Sequence, residues 1–183
     1  TAIAFETVED GAGRTPLLAP MSRVAGRMAV QAGMQALEMK HGGRGVLLAG
    51  VAGVAPGRVV IVGAGEVGAN AAHIAVGIGA EVILLDRDPD RLAALRDAYP
   101  GRIETVLSDA DAIDHHVARA DLVVGAVYLH GRRAPRLIAR DLTRMVCLGD
   151  SFTEGMVDER RPEGRRRATS PSGRAADPRA PAG

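Results

Sequence analysis

Tryptophan is absent from the 183 residues, and aromatic residues make up only 2% of them. A core must therefore be packed from Val, Ile, Leu, Ala and Met. Cysteine occurs once, at Cys147, which excludes an internal disulfide and fits a reducing compartment. Lysine also occurs once, at Lys40, and every other strong base is Arg. That bias speaks of a GC-rich coding sequence more than of a chemical requirement. No apolar run reaches transmembrane length, and no basic-then-apolar leader opens the chain. These absences point to a cytoplasmic protein with no membrane partner. Thr1 begins in mid-pattern without Met, as a fragment would.

What is present suits one ordinary domain: 46% apolar residues and 23 glycines, enough for a core with many tight turns. The net charge of +1 hides an asymmetry. Residues 160–183 hold seven Arg and two acids, or +5, so the remainder carries 1 − 5 = −4. A mildly acidic globular part gives no nucleic-acid surface.

The rest of the chain is organised around Arg58–Asp86. Val59–Val62 is a continuous apolar run, the pattern of a parallel strand buried on both faces. Gly63-x-Gly65-x-x-Gly68 follows at once. Gly63 allows a tight turn, Gly65 lets the backbone approach a pyrophosphate, and Gly68 lets a helix lie close on the sheet. Val67, Ala71, Ile74 and Ile78 form a helical stripe to bury, and the N-terminus of that helix favours phosphate. Gly79 ends the helix, Val82–Leu85 is a second strand, and Asp86 stands at its carboxyl end. A carboxylate there accepts hydrogen bonds from ribose hydroxyls and repels a 2′-phosphate, which favours NAD over NADP. Arg87 beside it counts the other way. A lone glycine fingerprint is weak, whereas strand, turn, helix, strand and acid in register make a dinucleotide-binding βαβ unit. The bland alternative is a turn kept for packing alone.

The flanks read as follows. Thr1–Val8 alternates like a short strand, and Pro16–Pro20 is an extended connector. Met21–Lys40 is predicted as a helix that Ser22 could cap. Val24, Met28 and Met39 lie on its apolar side, widened by Met34 and Leu37, and Ala25, Gly26, Ala29, Ala32, Gly33 and Ala36 form a thin flank that suits close helix packing, the sharper alternative being a ligand beside Ser22 and the helix start. Residues 41–57 are glycine-rich, irregular backbone. After Asp86 come a helix over Asp88–Tyr99, a strand over Ile103–Leu107, a helix over Ala110–Ala120, a strand over Asp121–Val127 and a short helix over Ala139–Met145. His73, His115 and His116 are expected on exposed helix surface. His130 is placed near the nicotinamide end but has no partner acid in view.

Several stretches resemble the C-terminal part of bacterial alanine dehydrogenase, of the alanine dehydrogenase and pyridine nucleotide transhydrogenase family. They are Thr1–Val8, Pro16-Leu-Leu-Ala-Pro-Met-Ser-Arg-Val-Ala-Gly-Arg27, Gly42-Gly-Arg-Gly-Val-Leu-Leu-Ala-Gly-Val51, Gly68-Ala-Asn-Ala-Ala72 and Ala120–Val127. The resemblance covers residues 1 to about 145. It implies an α/β fold with a Rossmann-type doubly wound parallel sheet, and NAD-dependent oxidative deamination of L-alanine to pyruvate and ammonia in a homohexamer. It also implies cofactor contacts: Ser22 near the phosphates or nicotinamide, Gly65, Glu66 and Val67 along the pyrophosphate turn, and Asp86 at the ribose. Arg91 and Ser108 would lie on the adenosine side, and Val127, Tyr128 and Leu129 on the nicotinamide side. His130 stands where the family has Pro. The family's substrate-binding Arg and Lys and its catalytic His lie in an N-terminal domain with no counterpart here, and its catalytic Asp follows an Ile-Asp-Gln-Gly-Gly stretch that this sequence lacks. The expectation is an NAD(H)-binding portion that is inactive alone, or failing that a non-catalytic nucleotide-binding module.

Near residue 145 the pattern changes. Met145-Val-Cys-Leu-Gly-Asp-Ser-Phe-Thr-Glu-Gly155 resembles the first block of GDSL/SGNH hydrolases, with Ser151 in the nucleophile's place. A serine nucleophile needs a base and an orienting acid, and no His follows Ser151. Ser151 is thus a very weak catalytic candidate, at most an esterase relic. No metal-ligand spacing stands out. From residue 160 on there is no Val, Ile, Leu, Phe, Met or Tyr, so this tail is expected to be disordered. The reading divides the chain into a connecting segment 1–57, an NAD-binding domain 58–145, a hydrolase-like fragment 146–159 and a tail 160–183.

Overall fold

A computed structural model of the chain describes residue 4 and residues 7–128. Four strands and four helices alternate there: α1 (Ala19–Leu37), β1 (Arg58–Val62), α2 (Glu66–Gly77), β2 (Glu81–Asp86), α3 (Pro89–Ala98), β3 (Ile103–Leu107), α4 (Ala110–Val117) and β4 (Leu122–Gly125). The strands form one parallel sheet in the order β3-β2-β1-β4. This is the Rossmann-type doubly wound arrangement. The chain winds outward through β2 and β3, then crosses back to lay β4 on the other side of β1.

In β1, β2 and β4 the residues alternate between two buried faces, whereas the edge strand β3 is at most partly buried. Val59, Ile61, Val82, Leu84, Leu122 and Val124 point to the face carrying α1, α2 and the Leu92 side of α3. Val60, Val62, Ile83, Leu85 and Val123 point to the opposite face, where Ile113 and Val117 of α4 cover them. Burial on both sides explains why β1 and β2 read as unbroken apolar runs. At the amino ends of the strands, the Arg58 guanidinium lies 2.7 Å from Glu81, which lifts its pKa above the ordinary arginine value.

Helix α1 departs from the sequence expectation. It begins at Ala19, so Pro16–Pro20 is not an extended connector, and it ends at Leu37, with a 3-10 turn over Met39–His41. Its N-cap is Leu18 and no side chain caps it, so Ser22 lies inside the helix rather than at its end. The buried side is the small one: Ser22, Gly26, Ala29, Val30, Gly33 and Leu37. Val24, Met28 and Met39 are exposed. The reason is close approach. A Cβ on Gly26 would stand 2.2 Å from the Val67 carbonyl oxygen, and one on Gly33 would stand 2.5 Å from the Leu122 side chain. Only a small-residue face lets α1 lie this near α2 and the sheet.

Other boundaries shift less. Residues 42–57 are irregular apart from a bridge between Val51 and Val54, and Leu48 anchors them in the core. The helix expected over Ala110–Ala120 stops at Val117, and the strand expected over Asp121–Val127 spans Leu122–Gly125. Of the strand expected at Thr1–Val8, Thr7 lies in a 3-10 turn and Val8 in no strand, and residues 1–3, 5 and 6 lie outside the described residues. Also outside are Leu129, His130, Ser151, the helix over 139–145 and the tail over 160–183.

Candidate functional site

The carboxyl ends of β1, β2, β3 and β4 meet at the glycine turn, where the winding direction reverses. Open α/β sheets bind ligands at that point. Gly63 leaves β1 with φ of 109°. Its N–H donates to the Leu85 carbonyl at 2.7 Å, and a Cβ on it would stand 2.5 Å from the Ala126 carbonyl oxygen. Gly63 is thus forced by both conformation and space, and it locks the turn between β2 and β4. Gly68 is forced by space alone, because a Cβ there would come within 1.8 Å of the Gly63 carbonyl oxygen.

Gly65 is different. It has φ of −71°, which any residue can adopt, and a Cβ on it would meet nothing within 4 Å. Internal packing does not require glycine here, and the bare backbone faces open space. Gly65 is also the N-cap of α2, and no side chain caps the helix. The first-turn amides of α2 therefore have no side-chain acceptor at the cap. By contrast, Asp88 caps α3 and Asp109 caps α4.

Asp86 ends β2 half-buried beside this turn. Its Oδ2 accepts a short hydrogen bond from the Ala64 N–H, and its Oδ1 accepts one from the Asp88 N–H at 2.8 Å. The carboxylate is fixed by two backbone amides from opposite sides. Asp88 in turn holds Arg91, with an ion pair at 3.2 Å. Ser108 follows β3, and its N–H donates to the Asp86 carbonyl at 2.8 Å. Beyond β4, the Ala126 N–H donates to the Val62 carbonyl at 2.7 Å, which brings half-buried Val127 and Tyr128 to the turn. Ser22 is 2% exposed on α1. The next residue, Arg23, lies 3.0 Å from Glu66 at the start of α2.

The fold thus gathers Gly63, Gly65, Glu66, Val67, Gly68, Asp86, Ser108, Val127 and Tyr128 around one end of the sheet, while Ser22 is buried on α1 beside Arg23, which reaches Glu66. Arg91 is linked to them through Asp88. Sequence reasoning missed Ala64 and Asp88, the two amides that hold Asp86, and Arg23. An Asp before Pro89 signals an N-cap, and that signal was available for Asp88. Backbone donation from Ala64 leaves no trace in side-chain type. The histidines stand apart. His73 is hydrogen-bonded to the Tyr99 hydroxyl at 3.0 Å, and His115 and His116 stack edge-on along α4. Among the described residues, no group of His, Cys, Asp and Glu could hold a metal ion, and no helix is long and apolar enough to cross a membrane.

Residues 29–149 match the family model described as alanine dehydrogenase/PNT, C-terminal domain. The chain is 51% identical over 159 residues to the alanine dehydrogenase of Halomonas elongata, covering 87% of this chain and 43% of that protein. It is 45% identical over 157 residues to that of Staphylococcus epidermidis, covering 86% and 42%. A solved L-alanine dehydrogenase superposes with a TM-score of 0.71 at 51% identity, over 74% of this chain and 38% of that one. A transhydrogenase from Sinorhizobium meliloti superposes at 0.50 with 26% identity, over 66% and 34%. The chain spans less than half the length of the curated relatives it matches. An aligned span of 159 residues leaves 183 − 159 = 24 uncovered, so the likeness reaches past residue 145. The chain belongs to the alanine dehydrogenase/PNT C-terminal domain family.

Proposed function

We propose that this chain binds NAD(H) at the glycine turn and is the dinucleotide-binding part of an alanine dehydrogenase, which converts L-alanine, NAD and water to pyruvate, ammonia and NADH. The observation that carries the binding is Gly65. Its missing side chain serves no internal packing, and it opens a cradle over the uncapped amides of α2. A pyrophosphate suits that cradle in charge and in donors. Asp86 would take the ribose hydroxyls, Ser108 and Arg91 would border the adenosine, and Val127 and Tyr128 would border the nicotinamide, with Ser22 close to the turn. The cofactor, when bound, supplies the hydride acceptor. The protein's own part is to bind and orient it.

We also propose that the chain alone turns over no alanine. The described side chains around the turn are Asp86, already held by two amides, Glu66, paired with Arg23, the hydroxyl residues Ser22, Ser108 and Tyr128, and small or apolar neighbours. The described histidines lie on α2, on α4 and in the 3-10 turn after α1, bonded or stacked elsewhere. That set holds a cofactor and offers no acid–base pair for an amino acid. Assembly into a homo-oligomer is part of the same proposal, on family likeness.

Calorimetric titration with NADH tests the binding. Micromolar-to-millimolar affinity is expected. No heat and no thermal shift at millimolar NADH would sink the proposal. Alanine-dependent NADH formation by this chain would overturn the second part.

A further inference from the structure

The α2 N-terminus carries a feature at odds with phosphate binding. Glu66 is its first residue, so a carboxylate stands beside amides that a pyrophosphate would use. An acid in the first turn stabilises the helix when no ligand is bound. It also repels an incoming anion. Glu66 caps nothing here, because its carboxylate is drawn sideways to α1, where Arg23 Nε donates to Oε2 at 3.0 Å. The same two helices are tied one turn later, where Arg27 Nε donates to Asn70 Oδ1 at 3.1 Å. Asn70 Nδ2 returns to the Glu66 carbonyl at 2.9 Å. Arg23 and Arg27 lie four residues apart on α1, and Glu66 and Asn70 four apart on α2, so the pairs repeat in register. Gly26 sits between them, with the site of its missing Cβ against the Val67 carbonyl oxygen.

We infer that Arg23 is a positioning residue for the dinucleotide's pyrophosphate. It neutralises Glu66 and holds its carboxylate on the α1 side, which leaves the α2 amides open. This rests on the proposed NAD(H) binding. Arg23 acts through Glu66 and does not itself contact the phosphates. Both side chains are more than half or about half exposed, at 59% and 50%. The ion pair therefore adds little to stability, and its consequence lies in ligand affinity.

NADH titrations of the unaltered chain, Arg23→Ala, Glu66→Gln and the double variant test this, at about 20 mM salt and again at about 500 mM, where exposed charges are screened. Arg23→Ala should weaken NADH about three- to fivefold at low salt, the scale set by one unscreened charge near the phosphates. Glu66→Gln should bind NADH at least as well as the unaltered chain, and the double variant should match Glu66→Gln within a factor of about 1.5. The Arg23→Ala loss should shrink towards nothing at high salt, and adenosine, which has no phosphate, should bind all four chains alike. No loss in Arg23→Ala while the unaltered chain binds NADH overturns the inference. An equal loss in the Glu66→Gln background also overturns it, because Arg23 would then be touching phosphate directly. A parallel loss of adenosine binding overturns it in favour of a structural role. Failure of the unaltered chain to bind NADH sinks the underlying function, a result distinguishable from all of these.

Discussion

The Asp86 carboxylate accepts a hydrogen bond from the backbone N–H of Ala64, at the entrance to the glycine turn and 22 positions earlier in sequence. The second oxygen is held by the Asp88 N–H. One side chain thus links the phosphate turn to the start of α3. Removing it should cost stability and binding together. Asp86→Ala strands two amides of which at least one is half-buried, and bonds to a charged acceptor are worth about 1.5–3 kcal/mol. Urea denaturation should show a loss of about 2 kcal/mol, and calorimetry a rise of tenfold or more in the NADH dissociation constant. Asp86→Asn keeps an acceptor and loses the charge. It should fall between the two and narrow the preference for NADH over NADPH. An Asp86→Ala chain that binds NADH as tightly as the unaltered one would remove Asp86 from the site.

Two glycines three residues apart should respond in opposite ways. Gly65→Ala places a methyl in open space on backbone with φ of −71°. Stability should change by no more than about 0.5 kcal/mol, while NADH affinity falls at least tenfold because the methyl occupies the cradle. Gly68→Ala drives a methyl to within 1.8 Å of the Gly63 carbonyl oxygen. It should destabilise by about 1–3 kcal/mol whether or not ligand is present. The pair separates a glycine kept for a ligand from one kept for packing. Unchanged binding in Gly65→Ala would contradict the proposed function.

The strands and their glycine turn were legible because each carries redundant signals. Val59–Val62 is apolar without interruption, Gly63 follows directly, and Asp86 falls where a ribose acceptor belongs. Helix α1 was legible as a helix, and its thin flank as a surface for close helix packing, but not in which of its large apolar side chains stay exposed. Sequence reasoning places large apolar side chains inward, and Val24 and Met28 are large and apolar. Their neighbours Gly26, Ala29 and Gly33 win because contact distance, rather than residue hydrophobicity, sets which face can approach α2. That distance belongs to the partner helix and is invisible in α1 alone. The same holds for Ser22, whose small size suits the buried face and whose hydroxyl suggested a cap. Backbone donors such as Ala64 carry no residue signature at all.

The helix caps provide a local test. Asp88 Oδ1 accepts from the Asp90 N–H at 3.0 Å, and Asp109 Oδ1 accepts from the Ala112 N–H at 2.7 Å. Either Asp→Ala change should cost about 1 kcal/mol of stability. Only Asp88→Ala should also weaken NADH, because the Asp88 carboxylate orients Arg91. Comparing the two by denaturation and by titration separates lost helix stability from lost adenosine contacts. An equal effect of both on NADH would mean that Arg91 and its partner do not border the ligand.

The orientation of α1 makes the last prediction. Gly26→Ala would push a Cβ to 2.2 Å from the Val67 carbonyl oxygen, which is backbone and cannot swing aside. The helices must separate, at a cost of about 1–3 kcal/mol. Because Val67 belongs to the first turn of α2, the displacement should also reach the phosphate amides and weaken NADH. Met28→Gln lies on the opposite side, with Met28 56% exposed. It should shift stability by no more than about 0.5 kcal/mol and leave NADH binding unchanged. The apolar spacing along α1 favours the opposite ranking, with Met28 costly and Gly26 improved by a better helix former. Denaturation midpoints for the two variants therefore decide which face of α1 meets the sheet.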